Sequence, residues 1–350
     1  MSNTIQQRSN TVDTVKCLLI LSIYVFHFGE AAGNWYLFFS CFHVPSFFMV
    51  SGFWAMKHLQ RSVWDFLKQA FFNCLLLWLC WVCIYPVYYA LTQGYGLETT
   101  WGLFVQYFCG KRSGIGGMWF VPAFFLVTLC YFLTAKLLSR LPRLSETGQA
   151  LLHFVLALTV YLVYRNNVDS SLRLLFSLDQ VPVHWMFYAL GRVLFCGYEW
   201  LRRQKRELQR GIFVASAVLS FGYMLVIFYD RGPELWGALG RAIPVFPLLA
   251  DAVLPLCGLF WLAKVISCRF LGQIGRNTLG LCLCEILVKY PFTWLMEHFG
   301  LPLDQVWMVF LIAVAAILLG HFIVLPPFLW VIRQLQARLS PSAAAAAHKR

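Results

Sequence analysis

Apolar runs about 20 residues long recur from one end of this chain to the other, and that is the length a helix needs to cross the hydrocarbon of a bilayer. Hydrophobic residues make up 60% of the 350 and charged residues only 12%, far from the balance of a soluble domain. Stretches such as 71–90 and 306–319 are continuously apolar and lack the strand-length alternation of an outer-membrane barrel. The pattern predicts an all-α, polytopic membrane protein.

About ten transmembrane helices are expected, over roughly 14–30, 36–56, 66–90, 118–138, 149–164, 183–200, 211–229, 246–266, 274–296 and 305–331. With the N-terminus in the cytoplasm, the basic clusters around Lys57/Arg61/Lys68, Lys136/Arg140/Arg143, Arg202–Arg210 and Lys264/Arg269/Arg276 all fall inside, as do Arg333 and Arg338. About 20 of the 28 Lys and Arg then lie on the cytoplasmic side, as the positive-inside rule requires, with both termini cytoplasmic. The net charge of +13 is spread over alternate loops rather than gathered in a patch, so the partner it predicts is anionic membrane lipid and not nucleic acid. Residues 1–10 are polar and the first apolar run already holds Lys16, so no cleaved signal is expected. A single membrane domain over 1–338 and a flexible tail over 339–350 complete the organisation.

Most of the twelve cysteines sit inside spans, where a thiol behaves as a small apolar group, and no Cys/His spacing predicts a metal site. Cys41 and Cys109 fall near the outer face and are a conceivable pair. Helix breakers fall at Pro45 and Ser51-Gly52 in span two, at Pro122 in span four and at Pro244, Pro247 and Pro255 around span eight.

Within the first apolar run, Lys16 and His27 are eleven residues apart. A helix turns about 100° and rises 1.5 Å per residue, which places His27 roughly 16 Å above Lys16 and close to the same stripe. Asp13 lies near that stripe as well. A cation by one membrane surface and an imidazole deep in hydrocarbon are expensive to keep, and the default reading of such groups is functional.

Four segments resemble the acyltransferase type 3 family, integral-membrane enzymes that move acyl groups onto sugars of envelope and secreted polysaccharides. Asp13-Thr-Val-Lys16 with His27 is similar to the family's opening helix. Phe42-His43-Val44-Pro45-Ser46-Phe47-Phe48-Met49-Val50-Ser51-Gly52-Phe53 is similar to its second span. Met118-Trp119-Phe120-Val121-Pro122 resembles its Trp-Phe opening of span four, and Gly275-Arg276-Asn277-Thr278-Leu279-Gly280 its late Gly-x-x-Ser/Thr-Leu motif. The chain departs from the family in carrying only Lys68 where span three commonly begins with several arginines, and Glu285 where a histidine often follows the late motif.

The resemblance implies a multi-pass enzyme of the bacterial cytoplasmic membrane that transfers an acyl group, acetyl first among them, from cytoplasmic acyl-CoA to a hydroxyl of a glycan or glycolipid. No bound cofactor is expected, since acetyl-CoA or another acyl-CoA is itself the donor substrate. His27 is the catalytic candidate, either as the base that activates a sugar hydroxyl or as a nucleophile acylated in passing. Lys16, Asp13 and Lys68 are candidates for the donor side, and His43, Ser51, Trp119, Arg192 and Glu285 for substrate contacts. Each has a plainer reading. Lys16 can snorkel as a topology anchor, Asp13 can serve the helix dipole, Trp119 can be a belt aromatic, and Arg192 can pair with Glu285, or Glu285 with Lys289 four residues on. The rival functional class is a transporter or exporter of a polysaccharide precursor, in which buried His, Arg and Glu relay protons.

Overall fold

Helix follows helix through the computed structural model, which describes residues 10–110, 116–141, 144–169, 171, 174–300, 302 and 305–339, and no strand occurs among them. The helices are α1 (Asn10–Phe26), α2 (Asn34–Gly52), α3 (Val63–Ala70), α4 (Leu76–Gln93), α5 (Leu97–Phe108), α6 (Phe120–Leu138), α7 (Glu146–Asn167) and α8 (Val181–Arg202). They continue with α9 (Arg206–Phe228), α10 (Gly232–Ala242), α11 (Val245–Ile266), α12 (Arg269–Arg276), α13 (Thr278–His298), α14 (Val306–Leu319) and α15 (Leu325–Leu339). Single π-turns join α3 to α4 and α14 to α15, so each pair runs as one long rod. Each expected span lies chiefly on helix, and seven helical stretches are long and apolar enough to cross a membrane. Apart from Leu339, the expected tail lies outside the described residues. All twelve cysteines, Cys41 and Cys109 included, carry free thiols.

The described residues gather into two compact units. The first draws on 10–51, 194–278 and 293–314. Here α1 packs along α12 and α11, and α11 along α9. The α1–α12 contact is as close as backbones allow: a Cβ on Gly275 would lie 1.7 Å from the carbonyl oxygen of Asp13, and one on Gly272 would lie 3.3 Å from the Asn10 side chain. The start of α2 is held by aromatic edges, with the Trp35 ring 4.9 Å from Phe228 and 5.3 Å from Phe310. On α9, Val214, Val218, Leu219 and Leu225 are exposed while Ser220 and Tyr223 are buried, the inversion expected of a helix facing lipid.

The second unit draws on 52–193, 279–292 and 315–339. In it α6 packs against α7 and against two short turns, Ala55–His58 and Leu175–Gln180, while α4 packs on α5 and α15. Phe176 and Ser177 take left-handed conformations (φ 52° and 54°), held by the Phe176 N–H on Cys109 O and the Ser177 hydroxyl on Gly110 O.

Several expected breaks are not breaks. Pro45 lies inside an unbroken α2, and the Ser51 hydroxyl donates back to Phe47 O at 2.8 Å. Gly52 is required for packing instead, because a Cβ there would lie 2.0 Å from Tyr188 O. Pro122 falls in the first turn of α6, where its missing N–H is not needed. The connections at 91–117 and 230–241 hold short helices, α5 and α10, and the span expected to reach residue 30 ends at Phe26. Gly29 at φ 60° takes the left-handed geometry that closes a helix.

Gly275→Ala is expected to cost about 1–3 kcal/mol, because the added methyl has only backbone to displace. Gly197→Ala, an exposed helical site with open space, should gain about 0.5–1 kcal/mol. Thermal unfolding of the two purified variants checks the contrast.

Candidate active site

The N-terminal end of α1 carries the first cluster. Asp13 is buried, and its carboxylate accepts from Arg276 Nε at 3.3 Å, so the last residue of α12 is tied to the first turn of α1. The Arg276 side chain remains half exposed. One turn on, Lys16 is half-buried on the same side of the helix as Asp13. Thr14 and Ser267 link α1 to the residue that follows α11, hydroxyl to hydroxyl at 3.4 Å. Two segments singled out in the sequence, Asp13–Lys16 and Gly275–Thr278, are therefore one constellation. Asp13, a candidate for the donor side, is paired here with Arg276.

His27 stands at the other end of α1. It was expected inside a continuing span, but it is half-buried in the turn that closes the helix, with its backbone N–H on Ile23 O. Phe26 separates two imidazoles, its ring centroid 5.3 Å from that of His27 and 4.6 Å from that of His43, and it stacks on Tyr36 at 5.0 Å. His43 is buried, and Phe26 is in contact with both imidazoles. His43 Nδ1 bonds the carbonyl of Phe39, which can only accept. Nδ1 therefore holds the proton of the neutral ring and Nε2 keeps its lone pair. Ser51, two turns further along α2, is half-buried and spends its proton on Phe47 O.

The remaining candidates lie in the second unit. Lys68 occupies the last turn of α3, half-buried. Trp119 ends the turn before α6 and stacks on His184 with centroids 5.7 Å apart. Arg192 and Glu285, both buried, do not pair with each other. Arg192 reaches Glu146 at the start of α7 and donates to Phe53 O at 3.2 Å, whereas Glu285 meets Lys289 Nζ at 3.6 Å, one turn along α13. The i,i+4 alternative is thus the one found.

Sequence reading missed Arg276, Glu146 and His153. Arg276 was counted as a topology charge and quoted within the late motif but not assigned to the site, and the available signal was the motif itself, whose Gly275 is where the backbone of Asp13 approaches. Glu146 lies just before the span expected at 149–164; it follows the N-cap Ser145, whose hydroxyl accepts from Gly148 N–H, an ordinary setting for an acid at a helix start. Among the described residues no group of His, Cys, Asp and Glu is arranged to hold a metal ion.

No curated protein and no solved structure is matched by this chain. Residues 10–325 match the acyltransferase domain of one family, and that stretch contains both ends of α1 and every motif described above. A match over most of the chain, on a helical scaffold with membrane-spanning segments, shows that the protein belongs to the acyltransferase type 3 family of membrane acyltransferases.

Proposed function

We propose that this protein is an O-acyltransferase with about ten spans and cytoplasmic termini, which moves an acyl group, acetyl first among them, from cytoplasmic acyl-CoA to a sugar hydroxyl of a cell-surface or secreted polysaccharide. The observation that carries this reading is the division of α1 into a cationic end, with Lys16 and Arg276, and an imidazole end, with His27 and His43, roughly 16 Å of helix apart. A thioester donor with phosphates at one end and a reactive carbonyl at the other has the same polarity. Family membership favours acyl transfer over the transport reading.

A sugar hydroxyl is a poor nucleophile at neutral pH and needs a base within hydrogen-bond reach as its oxygen attacks the thioester carbonyl. His27 takes that proton in this reading, and the leaving thiolate of the donor takes it back. His43, its Nδ1 proton committed to Phe39 O, offers only its Nε2 lone pair and so stabilises a charged His27 rather than competing for the donor. Arg276 meets the donor phosphates, and Asp13 behind it fixes one edge of the guanidinium so that less side-chain freedom is lost on binding. Lys16 adds charge beside Arg276 at this end of α1, and Lys68 is a further candidate for the donor. A bacterial cytoplasmic membrane is where acyl-CoA and a surface glycan meet across one bilayer.

With the full chain reconstituted in liposomes and labelled acetyl-CoA supplied, label is expected on a saccharide acceptor. His27→Gln should lower the rate of transfer by about 10²–10⁴ without lowering the unfolding temperature. Label that stays on CoA while saccharide crosses the membrane would favour the transporter instead. Arg276→Gln and Asp13→Asn should each raise the KM for acyl-CoA, Arg276→Gln by about tenfold, with kcat nearly unchanged, as measured by steady-state kinetics at varied donor.

A further inference from the structure

One buried charge is left over from this chemistry. Arg192, its side chain 6% exposed, ends in a small cavity of the second unit lined by Met56, Tyr131, Glu146, Gln149 and His153. Its partner Glu146 is unlike it: that side chain is 64% exposed, on the rim. With the carboxylate seated on the guanidinium the enclosed space is little more than a water molecule across.

A second buried group faces the same space. His153 Nε2 receives the indole N–H of Trp185 at 3.1 Å and lies 2.7 Å from the Thr134 hydroxyl. An indole nitrogen only donates, so Nε2 is the lone-pair nitrogen and the proton of the neutral ring is on Nδ1. Tyr131 lies flat on the imidazole, 4.0 Å between centroids, and Trp185 meets it edge-on, so the ring cannot turn away. Among the described residues Nδ1 has no hydrogen-bond partner, although His153 is 1% exposed and lines the cavity. Glu146, Gln149 and His153 recur at the spacing of one face of α7, whose N-terminus, capped by Ser145, brings the positive end of the helix dipole to the same place.

We propose that this cavity is a phosphate-binding site in which Glu146 is a displaceable stand-in: a phosphate oxyanion takes the guanidinium of Arg192 and the Nδ1–H of His153 when the Glu146 carboxylate swings out to water. The exchange is easy on the Glu146 side, since an exposed carboxylate rehydrates at little cost. It is favourable on the Arg192 side, since a buried guanidinium needs an anion at all times. Beside the Arg192 guanidinium the cavity therefore offers one largely exposed anion, Glu146, and one buried donor, the Nδ1–H of His153, a composition suited to an incoming anion. The inference rests on the geometry of this unit and not on the identity of the acyl acceptor or the role of His27. The phosphate has two sources, a soluble phosphate ester or the headgroup of an acidic lipid.

The full-length protein in nanodiscs separates them. In discs of neutral phosphatidylcholine, inorganic phosphate and, separately, adenosine 3′,5′-bisphosphate are titrated while the unfolding temperature is followed. The same measurement is made with and without phosphatidylglycerol in the discs. The expected result is stabilisation of the wild type by one of the two sources, about threefold tighter half-saturation in Glu146→Gln, and weaker response in His153→Phe and Arg192→Lys, the latter keeping the charge but losing the fork. Response to the soluble anions assigns a phosphate ester; response to phosphatidylglycerol alone assigns a lipid headgroup. Absence of any response in both wild type and Glu146→Gln overturns the proposal. So does a Glu146→Gln variant that loses response together with Arg192→Lys, because Glu146 would then be part of the scaffold. Loss of transfer activity in His27→Gln with this binding intact keeps the failure of one reading distinct from failure of the other.

Discussion

The carbonyl of Asp13 rests against the α-carbon of Gly275, and the carboxylate of the same residue holds Arg276. Any side chain at 275 would push α12 off α1, and with it the guanidinium that extends from the next position. A buried carboxylate with a half-exposed partner is also a directional device: the acid is desolvated once, in folding, and thereafter constrains a cation that still reaches water. The first unit depends on this contact because α1 packs on both α12 and α11, so the register of α1 is set at its N-terminal end.

What that register delivers at the far end is His27. Gly29 stops α1 through its left-handed geometry, and the histidine falls in the closing turn rather than along the helix wall. Phe26 then lies beside the imidazole, itself stacked on Tyr36 and in contact with the His43 ring of α2. An imidazole at a helix end has backbone close by but is not locked into a helical stripe, an arrangement consistent with the role proposed for it.

In the second unit the buried charges are settled differently. Glu285 has its counter-ion on the same helix, a local arrangement that survives any shift of neighbouring helices. Arg192 on α8 relies on Glu146 at the start of α7 and on a backbone carbonyl of the segment after α2, so its neutralisation is a tertiary matter. The two pairs look alike in a sequence, where all that can be seen is an ionisable residue in an apolar run. They differ in how readily an outside anion could take the place of the partner.

The all-helical, membrane-spanning character was legible from the recurring apolar runs, because burying a helix in lipid requires length and apolarity and little else, and seven of the helical stretches are long and apolar enough to cross a membrane; the short α5 and α10 were not legible, since amphipathic helices of about three turns resemble polar connections. Lys16, His27 and His43 stood out as ionisable or polar groups where lipid makes them costly, and the motif Gly275–Thr278 stood out by resemblance. The sequence by itself determined that these residue types occupy helices of a membrane protein, since periodicity and hydropathy are local properties. Which acid meets which base was decided only in three dimensions: Arg276 with Asp13 across 263 positions, Arg192 with Glu146 instead of Glu285. The reason is physical, for a salt bridge needs a few ångströms of approach that only the close packing of small residues such as Gly275 and Gly52 permits, and no periodicity encodes which two faces will touch.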